Sequence, residues 1–434
     1  MSEIKTKKNY YQLCQPINDE AYLCSNFYAK TYLVINSNIY GLYNQGQFKE
    51  LKELFPQVYL RLLEGGFLVD ENVDETVDIV KEREEERQST ELFHLIINPT
   101  LDCNLSCWYC YENKIPKSNM SDEVITGICR LIVNKYNEEP YKTLKLSFFG
   151  GEPFMRYNTI SRIITFADSF CKEHGVFLLL DFTTNGSIIT KTALRFLKEY
   201  RCMFQITLDG NREQHNKIKH TNNFLFDAFS ATCNNIRNIQ KEIQKSSVSV
   251  RLNFDSETLD GFDDILKEII DLDRKRTKII LKKVWQVDSS KINNEKILSV
   301  IEKLFENGFI VDYYSQGGIC FADKKNEAVI NYDGNVFKCT TISHFDEQES
   351  FGYLDCNSGK IVWNIEKIKP LEKVESPSQC VKCAMFPSCG GPCRRKNSPS
   401  SGWNCFLSTI GMTKEEYALL QFQIELIKDK VYEK

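Results

Sequence analysis

The chain has 434 residues, is 42% hydrophobic and 26% charged, and carries a net charge of -4. That is the composition of an ordinary globular protein with no basic face for nucleic acid. No apolar run nears the ~20 residues of a bilayer-spanning helix, and the polar start Met1–Lys8 is not a secretion signal. The expectation is a cytoplasmic chain of two to four domains, with neither a membrane nor a nucleic-acid partner. Seventeen cysteines carry most of the remaining information. In a long chain of this kind they point to metal or redox chemistry rather than to disulfides.

Residues 1–90 read as a separate small unit. Tyr22–Asn36 suits short strands, Phe48–Leu63 has helical apolar spacing, and Gly65-Gly66 stops it. Phe67–Val69 reads as another short strand, and the charged run Asp70–Gln88 as a solvated helix or linker. From residue 91 strands and helices alternate. Strands are expected at Phe93–Asn98, Leu144–Phe149, Phe177–Phe182, Phe204–Leu208, Val248–Phe254 and Ile279–Val287. Helices are expected at Asp122–Tyr136, Thr159–His174, Thr192–Tyr200, Phe226–Gln244 and Asn293–Phe305. Six such repeats over 91–310 predict an α/β fold with a parallel sheet, open or curved into a partial barrel. Functional groups of such sheets collect beyond the carboxyl ends of the strands. Residues 311–434 form a third, cysteine-rich region. It begins with a hairpin at Asn331-Tyr332-Asp333-Gly334 and ends in a helix over Thr413–Val431.

Cys103, Cys107 and Cys110 follow the first strand of the alternating region with C-x3-C-x2-C spacing. Three thiolates in one loop can hold three irons of a four-iron cluster and leave the fourth open. A zinc site is the alternative, but zinc asks for four ligands and no histidine lies nearby. Gly150-Gly151-Glu152-Pro153, Thr183-Thr184-Asn185-Gly186 and Thr207-Leu208-Asp209-Gly210 each end a later strand. Alone, each also reads as a polar turn. Trp285-Gln286-Val287-Asp288 ends the sixth strand, which puts Gln286 or Asp288 near the substrate or cofactor; strand-end polarity explains them equally well.

Together these segments resemble the radical S-adenosylmethionine (SAM) superfamily. The resemblance implies a partial (β/α)6 TIM barrel whose Cys103, Cys107 and Cys110 bind a [4Fe–4S] cluster, with SAM on the fourth iron. Reductive cleavage of SAM would give a 5'-deoxyadenosyl radical that takes a hydrogen atom from the substrate. By the same resemblance Tyr109 contacts adenine, Gly150 and Gly151 allow close backbone approach, and Glu152 accepts from the SAM ammonium. Asn185 and Thr207 would hold its ribose and carboxylate. Lys219 stands where relatives often have an arginine, without its bidentate fork.

Cys320, Cys339, Cys380, Cys383, Cys389, Cys393 and Cys405 resemble the SPASM domain of radical SAM enzymes that act on peptides. The resemblance implies two auxiliary [4Fe–4S] clusters, three clusters in all. Cys380, Cys383, Cys389 and Cys405 would hold the distal one. Cys320, Cys339 and Cys393 would hold the nearer one, with an iron left open or filled by Cys356. A zinc ribbon around Cys380–Cys393 is the local alternative. Cys14, Cys24, Cys129, Cys171, Cys202, Cys233 and Cys356 have no ligand spacing and default to small buried residues.

The N-terminal unit is similar to the winged-helix-like elements by which peptide maturases add a leader segment to a sheet edge. The reading is a maturase that takes a hydrogen from a ribosomally made precursor peptide and installs an oxidative cross-link, expected to be a thioether. Carbon–carbon or carbon–oxygen coupling is one alternative. Another is an anaerobic sulfatase maturase making formylglycine, against which Thr340 stands where an aspartate is common. A non-catalytic iron–sulfur peptide carrier is the last. No catalytic acid or base is assigned. The partners implied are the precursor peptide with its leader and a flavodoxin or ferredoxin donor.

Overall fold

The structure, a computed structural model, describes residues 5–221, 225–284, 286, 294–314, 318–372, 376–393 and 405–432. The chain divides into two compact units. One comprises Met1–Arg87, Gln316–Asp323 and Leu371–Lys434; the other comprises Gln88–Ser315 and Lys324–Pro370.

In the first unit, β1 (Thr6–Lys8) is followed by an antiparallel meander of β2 (Gln12–Pro16), β3 (Ala21–Asn26) and β4 (Thr31–Asn36). Cys14 and Cys24 face each other across β2 and β3, their sulfurs 2.6 Å apart. Three helices follow, Ser37–Gln45, Phe48–Leu54 and Pro56–Glu64. The expected single helix over Phe48–Leu63 is therefore two. Phe55 has φ -133° and ψ 59°, outside the helical region, because the ring of Pro56 crowds the residue before it. β5 (Leu68–Asp70) then pairs with β1. Ile39, Tyr43, Leu51, Leu62 and Phe67 close the core.

The charged run is a helix, Glu75–Gln88, that buries Ile79. Ile79 packs with Tyr11 and with Phe386, which belongs to the cysteine-rich segment. The Arg83 guanidinium lies 3.9 Å over the Phe386 ring, and Ser388 donates to Phe27 O at 2.8 Å. The two ends of the chain thus share one unit. The closing helix, Lys414–Tyr432, belongs to it, its first turn accepting from Gln15 at 3.0 Å.

The second unit is built on one sheet. Its strands are β6 (Leu92–Ile97), β8 (Thr143–Phe148), β9 (Phe177–Thr184), β10 (Cys202–Leu208), β12 (Ser246–Phe254) and β13 (Thr277–Lys283). These are the six predicted strands, all parallel and in sequential order. β13 ends earlier than expected, at Lys283; residues 285 and 287 lie outside the described residues. The parallel array also extends beyond the prediction. β14 (Ile310–Tyr313) adds to β13, and β15 (Glu327–Ile330) adds to β6. Beyond β15 the sheet continues antiparallel through β16 (Asn335–Phe337), β17 (Gly352–Asp355) and β18 (Lys360–Trp363). The expected hairpin at Asn331–Gly334 joins β15 to β16, with Gly334 at φ +86°. Residues 324–370 therefore sit in the sheet unit.

Side chains alternate along these strands as a sheet with two unlike faces requires. One face buries Leu146, Phe148, Leu180, Phe182, Phe204, Ile206 and Val250. Helices such as Asp122–Glu138, Tyr157–His174 and Ala228–Glu242 bury their own apolar stripes in the same unit. Ser121 starts the first of them by accepting from Val124 N at 3.2 Å, with Asp122 and Glu123 in the first turn. The other face is polar. It carries Lys145, Ser147, Asp181, Gln205, Thr207, Arg251, Asn253, Lys278 and Lys282.

Candidate functional site

The cysteine loop leaves the carboxyl end of β6. Its middle forms β7 (Ser106–Cys107), a two-residue ladder with β11 (Lys219–His220) in which Lys219 faces Cys107. Cys110 N donates to Cys107 O at 3.2 Å and closes the turn. Burial pushes the Cys103 thiol up to about 12 and also raises Cys107 and Cys110; the Cys107 charge adds to the rise at Cys103, and the Cys110 charge to that at Cys107. Any metal held here must displace those protons.

The segment after β8 braces the loop. Gly151 N donates to Thr100 O at 3.2 Å, and Glu152 N to Asp102 O at 2.9 Å. A Cβ on Gly151 would stand 2.1 Å from Asp102 O, and one on Gly150, at φ +100°, 2.4 Å from Thr100 O. Only glycine permits backbone to lie on backbone at this distance. Glu152 is fully buried and caps the turn Pro153–Arg156. Its carboxylate accepts from Phe154 N at 3.0 Å, Thr184 Oγ1 at 2.8 Å and Asn185 N at 2.8 Å, while burial raises its pKa. Asn185 Nδ2 in turn donates to Asn104 Oδ1 at 3.0 Å and points at Cys103 Sγ from 3.8 Å. Glu152 therefore fixes Asn185, and Asn185 fixes the loop.

Beneath the other end of the loop lies a buried polar cluster. Tyr109 Oη donates to Asp209 Oδ2 at 2.5 Å. Asn253 Nδ2 donates to Asp209 Oδ1 at 2.9 Å and to Tyr109 Oη at 3.2 Å. Lys219 Nζ lies 3.5 Å from Asp209 and donates to Thr207 Oγ1. Burial raises the Tyr109 phenol, and the Asp209 charge adds to the rise. Burial, with Lys219 adding, drives His215 down to about 3, so it stays neutral and accepts from Asp209 N at 3.2 Å. Gln286 Nε2 donates to Tyr109 O at 2.6 Å, at the end of the cysteine loop. Asp288 lies outside the described residues.

The structure thus gathers Tyr109, Gly150, Gly151, Glu152, Asn185, Thr207 and Lys219 around Cys103–Cys110. Sequence reasoning missed Asn253, His215 and Glu112, whose carboxyl burial pushes up to about 8. A signal existed for His215. It sits on the helix Arg212–Ile218, which starts with a capping box of Asn211 and Gln214.

The later cysteines divide between the units. In the first unit burial pushes Cys380 up to about 11, with the charges of Cys389, Cys383 and Cys405 adding, and Cys389 feels Cys383 and Cys405. Cys380 and Cys389 lie in short helices, and Cys405 stands at the start of another. Cys383 N donates to Cys380 O at 2.8 Å, and Cys389 ends the helix Phe386–Cys389. Cys320 and Cys393 belong to the same unit. Cys339 follows β16 in the second unit, where its sulfur accepts from Thr341 N at 3.3 Å. Cys356 packs against Gly127 of the helix Asp122–Glu138. Among the described residues no three His, Cys, Asp or Glu side chains converge on a single-ion site. A four-iron cluster instead takes one thiolate per iron, so its ligands stand apart.

A loop of three cysteines at the carboxyl ends of parallel strands, braced by two glycines and a buried glutamate, is the arrangement that the resemblance to radical SAM enzymes implies. Residues 97–269 match the family model of the Radical SAM superfamily, and the chain is a radical SAM enzyme. It is similar to the radical SAM cyclopropyl synthase TigE of Paramaledivibacter caminithermalis, at 22% identity over 88% of this chain and 84% of that one. It is also similar to a cysteine-type anaerobic sulfatase-maturating enzyme of Clostridium novyi, at 22% identity over 70% of this chain and 89% of the relative. The solved structure of native anSMEcpe with bound AdoMet shares the fold. Its TM-score is 0.57 at 19% identity, over 78% of this chain and 100% of the other.

Proposed function

We propose that the chain is a peptide maturase that installs an oxidative cross-link, a thioether, in a ribosomally made precursor. One observation carries the peptide reading. The relatives include both a ring-forming synthase and sulfatase-maturating enzymes, and anSMEcpe has also been solved with bound Cp18Cys peptide. When bound, the cluster and SAM supply a 5'-deoxyadenosyl radical that removes a hydrogen atom from the substrate. The chain's own residues hold and orient. Cys103, Cys107 and Cys110 are the cluster ligands in this reading. Thr207 and Lys219, already in contact, would take the SAM carboxylate in this reading. Glu152 acts through Asn185, because its carboxylate oxygens already accept from Phe154, Thr184 and Asn185. Tyr109 and Gln286 border the adenine side.

In the first unit the order of three strands and three helices supports a winged-helix-like leader-recognition element. Its meander has β2 and β4 as edges to which an extended segment can add. The field that Cys383, Cys389 and Cys405 exert on Cys380 supports a SPASM-type distal cluster. Cys320, Cys339 and Cys393 are proposed for the nearer one, whose role is to accept the electron that cross-linking releases. A flavodoxin or ferredoxin would reduce the SAM-binding cluster, and partial-barrel curvature of the sheet belongs to the same reading.

Two further readings have an observation behind them. The likeness to a cyclopropyl synthase favours carbon–carbon closure, and the likeness to sulfatase-maturating enzymes favours formylglycine formation. Mass spectrometry of a co-encoded small peptide, incubated with reconstituted enzyme, SAM and reductant, separates them. Loss of two hydrogens with a blocked cysteine thiol marks a thioether. The same loss with a free thiol marks carbon–carbon or carbon–oxygen coupling, and an aldehyde at Cys or Ser marks formylglycine. An unmodified peptide would overturn the maturase reading.

A further inference from the structure

The polar face of the sheet carries charge on adjacent strands, and most of it is paired. Lys145 lies 2.9 Å from Asp181, and Lys278 lies 2.5 Å from Asp312. Lys219, on the two-residue ladder under the loop, lies 3.5 Å from Asp209. Arg251 and Lys282 break the pattern. By register, Lys282 of β13 stands opposite Asn253 of β12, two residues along from Arg251 and on the same face. The two cations are diagonal neighbours, and among the described residues neither has a carboxylate within ion-pair distance.

Their surroundings make this costly. Arg251 is half-buried and spends one donor on Asn253 Oδ1, at 2.9 Å. Lys282 is open to solvent at this face but crowded by its neighbours, and its ammonium stands 6.0 Å from the centre of the Tyr314 ring. Crowding lowers its pKa and the Arg251 charge lowers it further, while Asp312, the ion-pair partner of Lys278, opposes the fall. Two like charges held side by side repel, and an anion between them removes the repulsion and gains charge-assisted hydrogen bonds. The position is next to the reaction centre. Asn253 links Arg251 to Tyr109 and Asp209, and Arg251 also acts on the Tyr111 phenol, one residue beyond Cys110.

The geometry points to a carboxylate-binding site made by Arg251 and Lys282 that selects a peptide with an acid beside the residue to be modified. The inference rests on the peptide reading above and narrows its substrate class. The acid comes from an Asp or Glu side chain or from a peptide C-terminus; the SAM carboxylate is assigned to Thr207 and Lys219.

The test uses the full-length reconstituted holoenzyme, immobilised anaerobically with SAM. A pool of synthetic decapeptides with one fixed cysteine is passed over it. Its members carry Glu, Gln or Lys at varied positions, each with a free or an amidated C-terminus. The wild type should retain carboxylate-bearing peptides about tenfold or more over their amide counterparts. Retention of Glu over Gln identifies a side chain, and retention of free over amidated ends identifies the terminus. R251Q/K282Q should lose the preference. R251E/K282E should turn it towards Lys peptides, a gain that a misfolded variant would not show. Equal retention of acidic and neutral peptides by the wild type would overturn the inference. So would a preference unchanged in R251Q/K282Q, or a fall in SAM affinity in that variant with peptide preference intact. Acid-selective retention with no SAM-dependent product from any pool member would uphold the site while contradicting the maturase reading.

Discussion

The two cysteine regions are built on opposite plans. In the sheet unit, Cys103, Cys107 and Cys110 lie on one loop, and the bracing comes from backbone stacked on Gly150 and Gly151 and from Glu152 through Asn185. In the other unit, Cys380 and Cys389 sit in short helices, Cys383 lies between them and Cys405 precedes a third, while Tyr11, Ile79 and Arg83, far away in sequence, pack around Phe386. A centre that must keep one iron open for a ligand needs its surroundings fixed to a fraction of an ångström. A centre that only stores an electron can take all four ligands from the chain and rely on ordinary packing.

The sharpest way to break this comparison is to delete each set of ligands. Replacing Cys103, Cys107 and Cys110 by alanine should reduce 5'-deoxyadenosine release to background, read by chromatography. Replacing Cys380 and Cys389 should leave that release in place, remove about four irons per chain and stop formation of the modified peptide. If both variants lose SAM cleavage alike, the division of labour fails.

Acid should reach the first region through His215. Its pKa is about 3 in the folded chain against an ordinary 6.5, so the unfolded chain binds more protons between those values. Stability contributed by neutral His215 is therefore present above pH 6.5 and falls as pH drops towards 3, by at most about 1.4 kcal/mol per pH unit. Denaturant midpoints measured across that window should fall less steeply in H215Q.

Gly151→Ala should cost about 1–3 kcal/mol through overpacking against Asp102 O and lower iron loading at the first region alone. The smallest effect is expected in the other unit. R83Q removes the hydrogen bond to Phe386 O, at 2.5 Å, and the cation stacked on its ring. It should cost about 1–2 kcal/mol of thermal stability and leave SAM cleavage unchanged.

How much of this was legible in the sequence follows the same division. The loop and the Gly150–Glu152 turn are contiguous motifs, and each lands where a strand was expected to end. Thr207 and Lys219 are twelve residues apart and meet because the ladder of β7 and β11 folds the chain back. The break at Pro56 is written in the residue itself, yet apolar periodicity runs smoothly across it. What stayed hidden is non-local. No spacing shows that Tyr11 packs against Phe386, or that β15 continues the parallel sheet beside β6. Arg251 and Lys282 were invisible for another reason. Each is one ordinary polar position in an alternating strand, and only the register between β12 and β13 brings them together.

Electron paramagnetic resonance of the anaerobically reduced, reconstituted protein, with and without SAM, tests the central claim most directly. A [4Fe–4S] signal should change on adding SAM, and that responsive component should be missing when Cys103, Cys107 and Cys110 are alanine. Spectra indifferent to SAM, or a responsive signal that survives loss of the three cysteines, would contradict the account.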